Sequence, residues 1–289
     1  MPIDEVAVHE RVAKFTARSV KADSKMNGLL TIVSMIDLTT LEGADSPGRV
    51  HRICQKAIRP AKNVPSVAAV CLYPNLIAQA SEELQGSSVH LASVATGFPA
   101  GQVTIEAKIA DVNQALQAGA DEIDMVISRG ALLAGGEQQV FNEVIFFKAL
   151  CKRKEAHLKV ILEVGELADF DQVRKVSMIA MQAGADFIKT STGKIPNAAS
   201  MAVTLVMIEA VRDFHQETGR MVGIKPAGGI SSAKQALHYL VMLSETLGPE
   251  WISPEWFRFG ASSLLNDVLR QIEKQRTGNY EGDDYVTVA

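Results

Sequence analysis

Short apolar runs alternate with longer segments of helical periodicity along most of the chain. The runs are rich in valine and isoleucine, and segments between them carry apolar stripes, such as the one formed by Ala236, Leu240, Leu243 and Leu247. This alternation is typical of repeated βα units with a parallel sheet. Eight strands are predicted, at Leu30–Ile36, Val67–Leu72, His90–Ala95, Glu122–Ile127, Leu158–Glu163, Asp186–Lys189, Met221–Lys225 and Phe257–Phe259.

Eight βα units can form either a long doubly wound sheet or a closed (β/α)8 barrel. A dinucleotide-binding doubly wound fold would carry G-x-G-x-x-G after its first strand, and the chain has no such motif there. We therefore predict a single α/β domain, a (β/α)8 TIM barrel at residues 26–276. A helical extension at residues 1–25, with one polar helix at about Asp4–Val20, precedes it, and a polar tail at residues 277–289 follows.

Composition and charge restrict the class of partner. The 289 residues are 47% hydrophobic and 21% charged, which suits a globular protein with a large core. The net charge is -4 and the basic residues are dispersed, which argues against binding to nucleic acid or a membrane surface. The three cysteines are widely spaced, and no apolar signal region begins the chain, so we expect a reduced, cytoplasmic protein with a small-molecule partner. Oligomeric state is left open, a homodimer included.

An internal repeat relates two of the predicted strands. QAGADEID ends at Asp124 and QAGADFIK ends at Lys189, so these residues hold equivalent positions in the fourth and sixth strands. In such barrels, alternate strands contribute side chains to the same interior layer. We therefore predict that Asp124 and Lys189 face each other across the barrel. Taken alone, a strand-end lysine more commonly extends to solvent.

A second lysine, Lys225, ends the seventh predicted strand in MVGIKPAGG. If both lysines point inward, each cation disfavours protonation of the other, and one amine can be neutral near pH 7. A neutral, partly desolvated amine can attack a carbonyl group and form an imine. Asp124 would be the buried partner of the lysines. Asp37 also ends a strand, although a turn or helix-cap aspartate is the alternative there.

Three turns rich in glycine and hydroxyl groups follow the last three strands, at Thr190–Lys194, Pro226–Ser232 and Phe259–Ser263. Small residues let backbone N–H groups approach an anion, and the helix N-termini after the last two strands add favourable dipoles. Any one of these turns could be a plain βα loop, but three at this end of a barrel predict a phosphate site. The six histidines form no metal-binding motif, so no metal is predicted, and Cys71 is expected in the core.

Six motifs occur in order between about Ile36 and Leu265: IDLTTL, AVCLYP, ADEIDMVI, DFIKTSTGK, GIKPAGGI and FGASSLL. Together they resemble the deoxyribose-phosphate aldolases, class I aldolases of deoxynucleoside breakdown. The resemblance implies reversible cleavage of 2-deoxy-D-ribose 5-phosphate to acetaldehyde and D-glyceraldehyde 3-phosphate. It also implies that neither a metal nor an organic cofactor takes part.

The resemblance also assigns roles to individual residues. It implies that Lys189 forms the imine, that Lys225 favours the neutral form of Lys189, and that Asp124 takes part in proton transfer. Lys159 is expected to join the buried charge network. The residues expected to contact the substrate phosphate and hydroxyl groups are Asp37, Thr39, Thr192, Gly193, Lys194, Gly228, Gly229, Ser262 and Ser263.

Two features remain open from the sequence. Some members of the family carry a C-terminal tyrosine that reaches the active site, whereas here Tyr280 and Tyr285 precede the end of the chain.

Two other functions also fit the residues. One is isomerisation, or aldol cleavage, of a different phosphosugar. The other is a catalytically silent phosphate-binding barrel that acts as an interaction protein. The presence of both Asp124 and Lys225 favours the aldolase.

Overall fold

The computed structural model describes residues 2–19, 22–196 and 198–279. Tyr280 and Tyr285, and with them most of the predicted tail at residues 277–289, lie outside the described residues. Across these three ranges, no helix combines the length and apolar character that crossing a membrane requires.

Eight short parallel strands form the centre of the described part of the chain. They are β1 (Ile36–Thr39), β2 (Ala69–Leu72), β3 (His90–Ala95), β4 (Glu122–Val126), β5 (His157–Ile161), β6 (Phe187–Lys189), β7 (Gly223–Lys225) and β8 (Phe259–Ala261). Each strand from β1 to β6 pairs with the next, and β8 pairs with β1. Isolated parallel bridges from Ile224 to Phe257 and from Ala227 to Gly260 bring β7 and β8 together. The predicted (β/α)8 barrel is confirmed.

Helices surround this barrel. Within the described residues there are eleven: α1 (Glu5–Thr16), α2 (Ala22–Ser34), α3 (Pro47–Ile58), α4 (Ile77–Glu83), α5 (Ile105–Gln117), α6 (Arg129–Leu133), α7 (Glu137–Lys152), α8 (Phe170–Gln182), α9 (Met201–Thr218), α10 (Ala233–Leu247) and α11 (Leu264–Thr277). Short 3₁₀ turns lie at Pro74–Leu76, Val164–Glu166 and Pro249–Trp251. The predicted apolar stripe of α10 is buried along its full length.

The prediction of a strand at Leu30–Ile36 is wrong, because most of that segment belongs to α2. Leu29, Ile32 and Val33 are fully buried, and their spacing places them on one helical face. A short apolar run fits a buried helix as well as a buried strand, so periodicity alone did not separate them. Gly28 allows α2 to pack tightly, because a Cβ there would lie 2.7 Å from Leu237 Cδ2 of α10.

Two helices therefore precede β1 where one was predicted. The first is shorter than expected, and the Asp4 carboxylate caps it by accepting a hydrogen bond from the Ala7 N–H at 3.1 Å. α1 packs against α9 and α10, and α2 packs against α10 and α11. Both helices thus lie on the outside of the barrel, and α2 crosses the predicted division between residues 25 and 26.

The strands that end in lysine follow the predicted alternation of side chains. Ile188 and Ile224 face outward into the hydrophobic core, while Lys189 and Lys225 point into the barrel. In the ladder, Asp124 is level with Lys159 and Lys159 with Phe187, so Lys189 lies two residues further along. Barrel strands are tilted and staggered, which explains how equivalent positions of β4 and β6 are offset by one inward-facing step. β8 begins two residues later than the predicted start at Phe257.

Candidate active site

Lys189, Lys225 and Asp124 meet inside the barrel near the carboxyl ends of the strands. Lys189 Nζ lies 2.8 Å from Asp124 Oδ2, and Lys225 Nζ lies 2.7 Å from the same oxygen. All three side chains are buried. Lys189 thus contacts Asp124, the residue that it was predicted to face in the barrel, and because both amines bond one oxygen, their charges interact strongly.

Lys159 is the third ammonium group on the Asp124 carboxylate, and its Nζ lies 3.1 Å from Oδ1. Burial alone would raise the pKa of the Asp124 carboxyl. Lys159, Lys189 and Lys225 outweigh that effect and hold this pKa well below its usual range. Asp124 is therefore ionised at neutral pH, and the expectation that Lys159 joins the buried network is met.

Asp37 belongs to the same network, one step away from Asp124. Its Oδ2 lies 2.5 Å from Lys225 Nζ and 3.3 Å from Lys159 Nζ, and its Oδ1 lies 2.7 Å from an Arg258 nitrogen. Burial would lower the pKa of the Lys225 amine, but Asp124 and Asp37 outweigh burial and raise it. Lys225 therefore stays charged at neutral pH.

Glu122 and Arg258 complete the network, and neither was identified from the sequence. Arg258 bonds Glu122 Oε1 at 3.0 Å as well as Asp37, and Glu122 also bonds Lys159. Glu122 stands two residues before Asp124 in β4, and Arg258 stands between two buried phenylalanines. Strand alternation would have placed both side chains inside the barrel.

Among the described residues, the barrel interior therefore holds four basic side chains and three carboxylates. The bases are Lys159, Lys189, Lys225 and Arg258, and the acids are Asp37, Glu122 and Asp124. If all seven were ionised, one positive charge would remain uncompensated in a region from which water is excluded. Loss of one proton from one amine balances the charges.

A cavity of ≈ 270 Å³ opens above this network at the carboxyl ends of the strands. Lys189 lines it, and so does every residue predicted to bind substrate except Asp37. Asp37 lies below the cavity, where its carboxylate is bound to Lys159, Lys225 and Arg258. Among the described residues that line the cavity, Lys189 and Lys194 are the cations and Glu42 is the acid.

The glycine-rich turns form one wall of the cavity, where the sequence predicted a phosphate site. Gly193, Gly228 and Gly229 all have positive φ angles. A Cβ at Gly228 would lie 2.4 Å from the Ala198 Cβ, so only glycine fits this turn without displacing the chain. α10 and α11 begin directly after the turns that contain Gly229 and Ser263, and their N-termini favour an anion nearby.

Glu163 holds the turn after β6 and was not identified from the sequence. Its carboxylate accepts hydrogen bonds from the Thr192 N–H at 3.1 Å and from the Thr192 hydroxyl at 2.6 Å. Arg129 pairs with Glu163 at 3.3 Å. The Thr192 hydroxyl in turn accepts a hydrogen bond from the Lys194 N–H at 3.1 Å. Thr192 thus lines the cavity with a hydroxyl that already shapes the turn.

Cys71 is buried inside the barrel, as expected, with its Sγ 3.9 Å from Asp124 Oδ2. Burial raises the pKa of this thiol, and the nearby Asp124 carboxylate adds to that rise. One group of potential metal ligands comes together in the described ranges, His90 with Asp121 and Glu122. It lies at the starts of β3 and β4, away from the cavity, and Glu122 is already bound to two cations.

The chain is similar to known aldolases over nearly its whole length. Residues 31–270 match the family described as DeoC/LacD family aldolase. The deoxyribose-phosphate aldolases of Mus musculus and Homo sapiens are 45% and 44% identical to it, over 96% of this chain and 91% of each relative. The solved structure of the tetrameric deoxyribose phosphate aldolase from Aeropyrum pernix aligns with a TM-score of 0.66 at 25% identity, and covers 90% of this chain and 100% of that one.

Proposed function

The chain belongs to the DeoC/LacD aldolase family, and on that premise we propose that it cleaves 2-deoxy-D-ribose 5-phosphate through a Schiff base on Lys189. The products are D-glyceraldehyde 3-phosphate and acetaldehyde, the reaction is reversible, and the enzyme is a lyase. The mouse and human relatives are named for this substrate. The cellular role that follows is the breakdown of deoxyribonucleosides.

The position of Lys189 is the observation that carries the proposal. Lys159, Lys225 and Arg258 each contact at least two carboxylates and do not line the cavity. Lys189 lines the cavity, and among the described residues it pairs with one acid, Asp124, which it shares with two other amines. Of these basic side chains, Lys189 therefore contacts the fewest carboxylates, and it is the one that a substrate in the cavity can reach.

The charge balance supports the same assignment. When Lys189 gives up its proton, three cations face three carboxylates, and no uncompensated charge is left in the barrel. A neutral amine is the form that attacks a carbonyl carbon. The pKa values of the Lys225 and Lys159 amines are raised by the carboxylates around them, so these two amines stay charged and are not the nucleophile.

The reaction then proceeds by covalent catalysis. The Lys189 nitrogen bonds to C1 of the open-chain sugar, water leaves, and an iminium ion forms. As a base removes the C3 hydroxyl proton, the bond between C2 and C3 breaks, and its electron pair moves toward the iminium nitrogen. This gives glyceraldehyde 3-phosphate and an enamine. Protonation at C2 and hydrolysis release acetaldehyde and restore the lysine. Asp124, in contact with Lys189, is placed to relay these protons through a water molecule.

The remaining lining residues fit the rest of the substrate. Gly193, Gly228 and Gly229 offer close backbone approach to a phosphate, with Ser262, Ser263 and the Lys194 ammonium beside them. Thr39 also lines the cavity and is available to a sugar hydroxyl. Asp37 acts in this proposal through Lys225, whose ammonium it contacts, and so it is a positioning residue.

A substrate panel tests the proposed reaction. The purified protein is incubated with 2-deoxy-D-ribose 5-phosphate and with other pentose and hexose phosphates, and aldehyde products are measured by enzymatic reduction. We expect equal amounts of acetaldehyde and glyceraldehyde 3-phosphate from the deoxysugar alone. Isomerised sugar without aldehyde, or cleavage of another phosphosugar in its place, would contradict the proposal.

A further inference from the structure

An ion pair spans the mouth of the cavity. Lys194 Nζ, on the turn after β6, lies 2.9 Å from Glu42 Oε1, on the loop after β1. Both residues line the cavity, and both side chains are partly exposed, at 30% for Lys194 and 61% for Glu42. The Glu42 carboxylate is therefore already paired with the Lys194 ammonium, which lies beside the glycine-rich wall of the cavity.

The backbone on each side of this pair is fixed by hydrogen bonds. The Glu42 N–H donates to Asp45 Oδ2 at 3.0 Å, and the Thr40 hydroxyl donates to Asp45 Oδ1 at 2.7 Å. Across the cavity, the Lys194 N–H donates to the Thr192 hydroxyl. Each side chain thus extends from a turn that hydrogen bonds fix, so the fold brings the two charged groups together. Both side chains are partly exposed, and the charged ends can move apart.

We propose that Glu42 is a specificity-determining residue that competes with the substrate phosphate for Lys194. The inference rests on the proposed function, because it concerns the phosphate of that substrate. A phosphate that reaches Lys194 must displace the Glu42 carboxylate and then remain near a like charge. Glu42 therefore limits how strongly the cavity prefers a phosphorylated sugar to a neutral one.

The charges that line the cavity support this role. Of the described lining residues, Glu42 is the one acid and Lys194 the one cation besides Lys189. In the proposed reaction, Lys189 bonds to the carbonyl carbon of the substrate. Lys194 is then the lysine of the cavity that can pair with the phosphate. Because the pair is partly exposed, its loss is expected to change anion affinity by about threefold to fivefold.

Binding of inorganic phosphate to the full chain, measured by calorimetry, tests the proposal without turnover. We expect Glu42→Gln to bind phosphate about threefold to fivefold more tightly than the unmodified protein. Glu82→Gln makes the same charge change at an exposed position on α4, outside the cavity, and should leave the affinity as it is. Lys194→Gln should weaken binding and reduce the gain that Glu42→Gln gives.

Kinetics provide the second measurement. Glu42→Gln should lower KM for 2-deoxy-D-ribose 5-phosphate by a similar factor and should not lower KM for 2-deoxy-D-ribose. Equal or weaker phosphate binding by Glu42→Gln, undetectable binding by both proteins, or an equal fall in both KM values would overturn the proposal. The phosphate titration does not depend on Lys189 chemistry, so failure of the aldolase assignment would be seen separately, as the absence of aldehyde products.

Discussion

Replacing Lys225 by leucine tests how the buried charges control the reactivity of Lys189. The two amines bond the same Asp124 oxygen, at 2.7 Å and 2.8 Å. At a separation of about 5 Å and an effective dielectric constant of about 20, two ammonium groups repel each other by about 3 kcal/mol. Without Lys225, this repulsion is lost, and three cations would face three carboxylates.

The expected result is a shift in the pH dependence of kcat/KM for 2-deoxy-D-ribose 5-phosphate. The acidic limb of the profile should move upward in Lys225→Leu, because the repulsion between the two amines is lost. Lys225→Arg keeps the charge and should leave the limb near its original position. Lys175→Leu removes an exposed ammonium group on α8 and serves as a surface control. Circular dichroism establishes that each variant is folded.

Two results would refute this reasoning. One is a folded Lys225→Leu protein whose acidic limb does not move or moves to lower pH. The other is a shift of the same size in Lys225→Arg, which would mean that side-chain shape, and not charge, controls the reactive amine. Either result would mean that Lys225 does not act through the charge that it adds to the barrel.

Three further changes have defined outcomes. Lys189→Leu should abolish aldehyde release and keep the circular dichroism spectrum, because the remaining cations still balance the carboxylates; residual cleavage would contradict this. Gly228→Ala, at φ 86° and facing the Ala198 Cβ, should raise KM for the phosphorylated sugar and destabilise the protein by more than ~1 kcal/mol, and an unchanged KM would be inconsistent with a phosphate site there. Arg258→Met should lower the free energy of unfolding in urea by about 3–5 kcal/mol, because it leaves two buried carboxylates short of a partner. The three buried carboxylates have lowered pKa values, so their contribution to stability is present above about pH 4 and is lost as pH falls below it; an acid-insensitive urea midpoint would contradict this.

Much of the site could be predicted because it depends on local pattern. The QAGAD repeat predicted that Asp124 and Lys189 face each other in the barrel, and the glycine-rich turns that the sequence singled out line the cavity. Leu30–Ile36 was assigned wrongly because a buried helix and a buried strand share the same short apolar signal. The contacts of Asp37 could not be predicted in this way, since Arg258 lies 221 residues away in sequence and only barrel closure brings the two together.

The pairing of Glu42 with Lys194 has the same long-range origin. These residues are 152 positions apart, on loops that carry no shared motif. In contrast, Glu122 could have been predicted from the sequence, because it lies two residues before Asp124 in the same strand and therefore points to the same side. The general lesson is physical: periodicity determines which way a side chain points, whereas register and closure determine which charges it meets.

Borohydride trapping tests the central claim most directly. The protein is incubated with acetaldehyde and sodium borohydride, digested, and examined by mass spectrometry. If Lys189 forms the Schiff base, the peptide that contains DFIKTSTGK should carry a reduced two-carbon group on Lys189, and Lys189→Leu should carry none at that position. An adduct on Lys225 or Lys194 in place of Lys189, or no adduct on protein that still cleaves the sugar, would contradict the account.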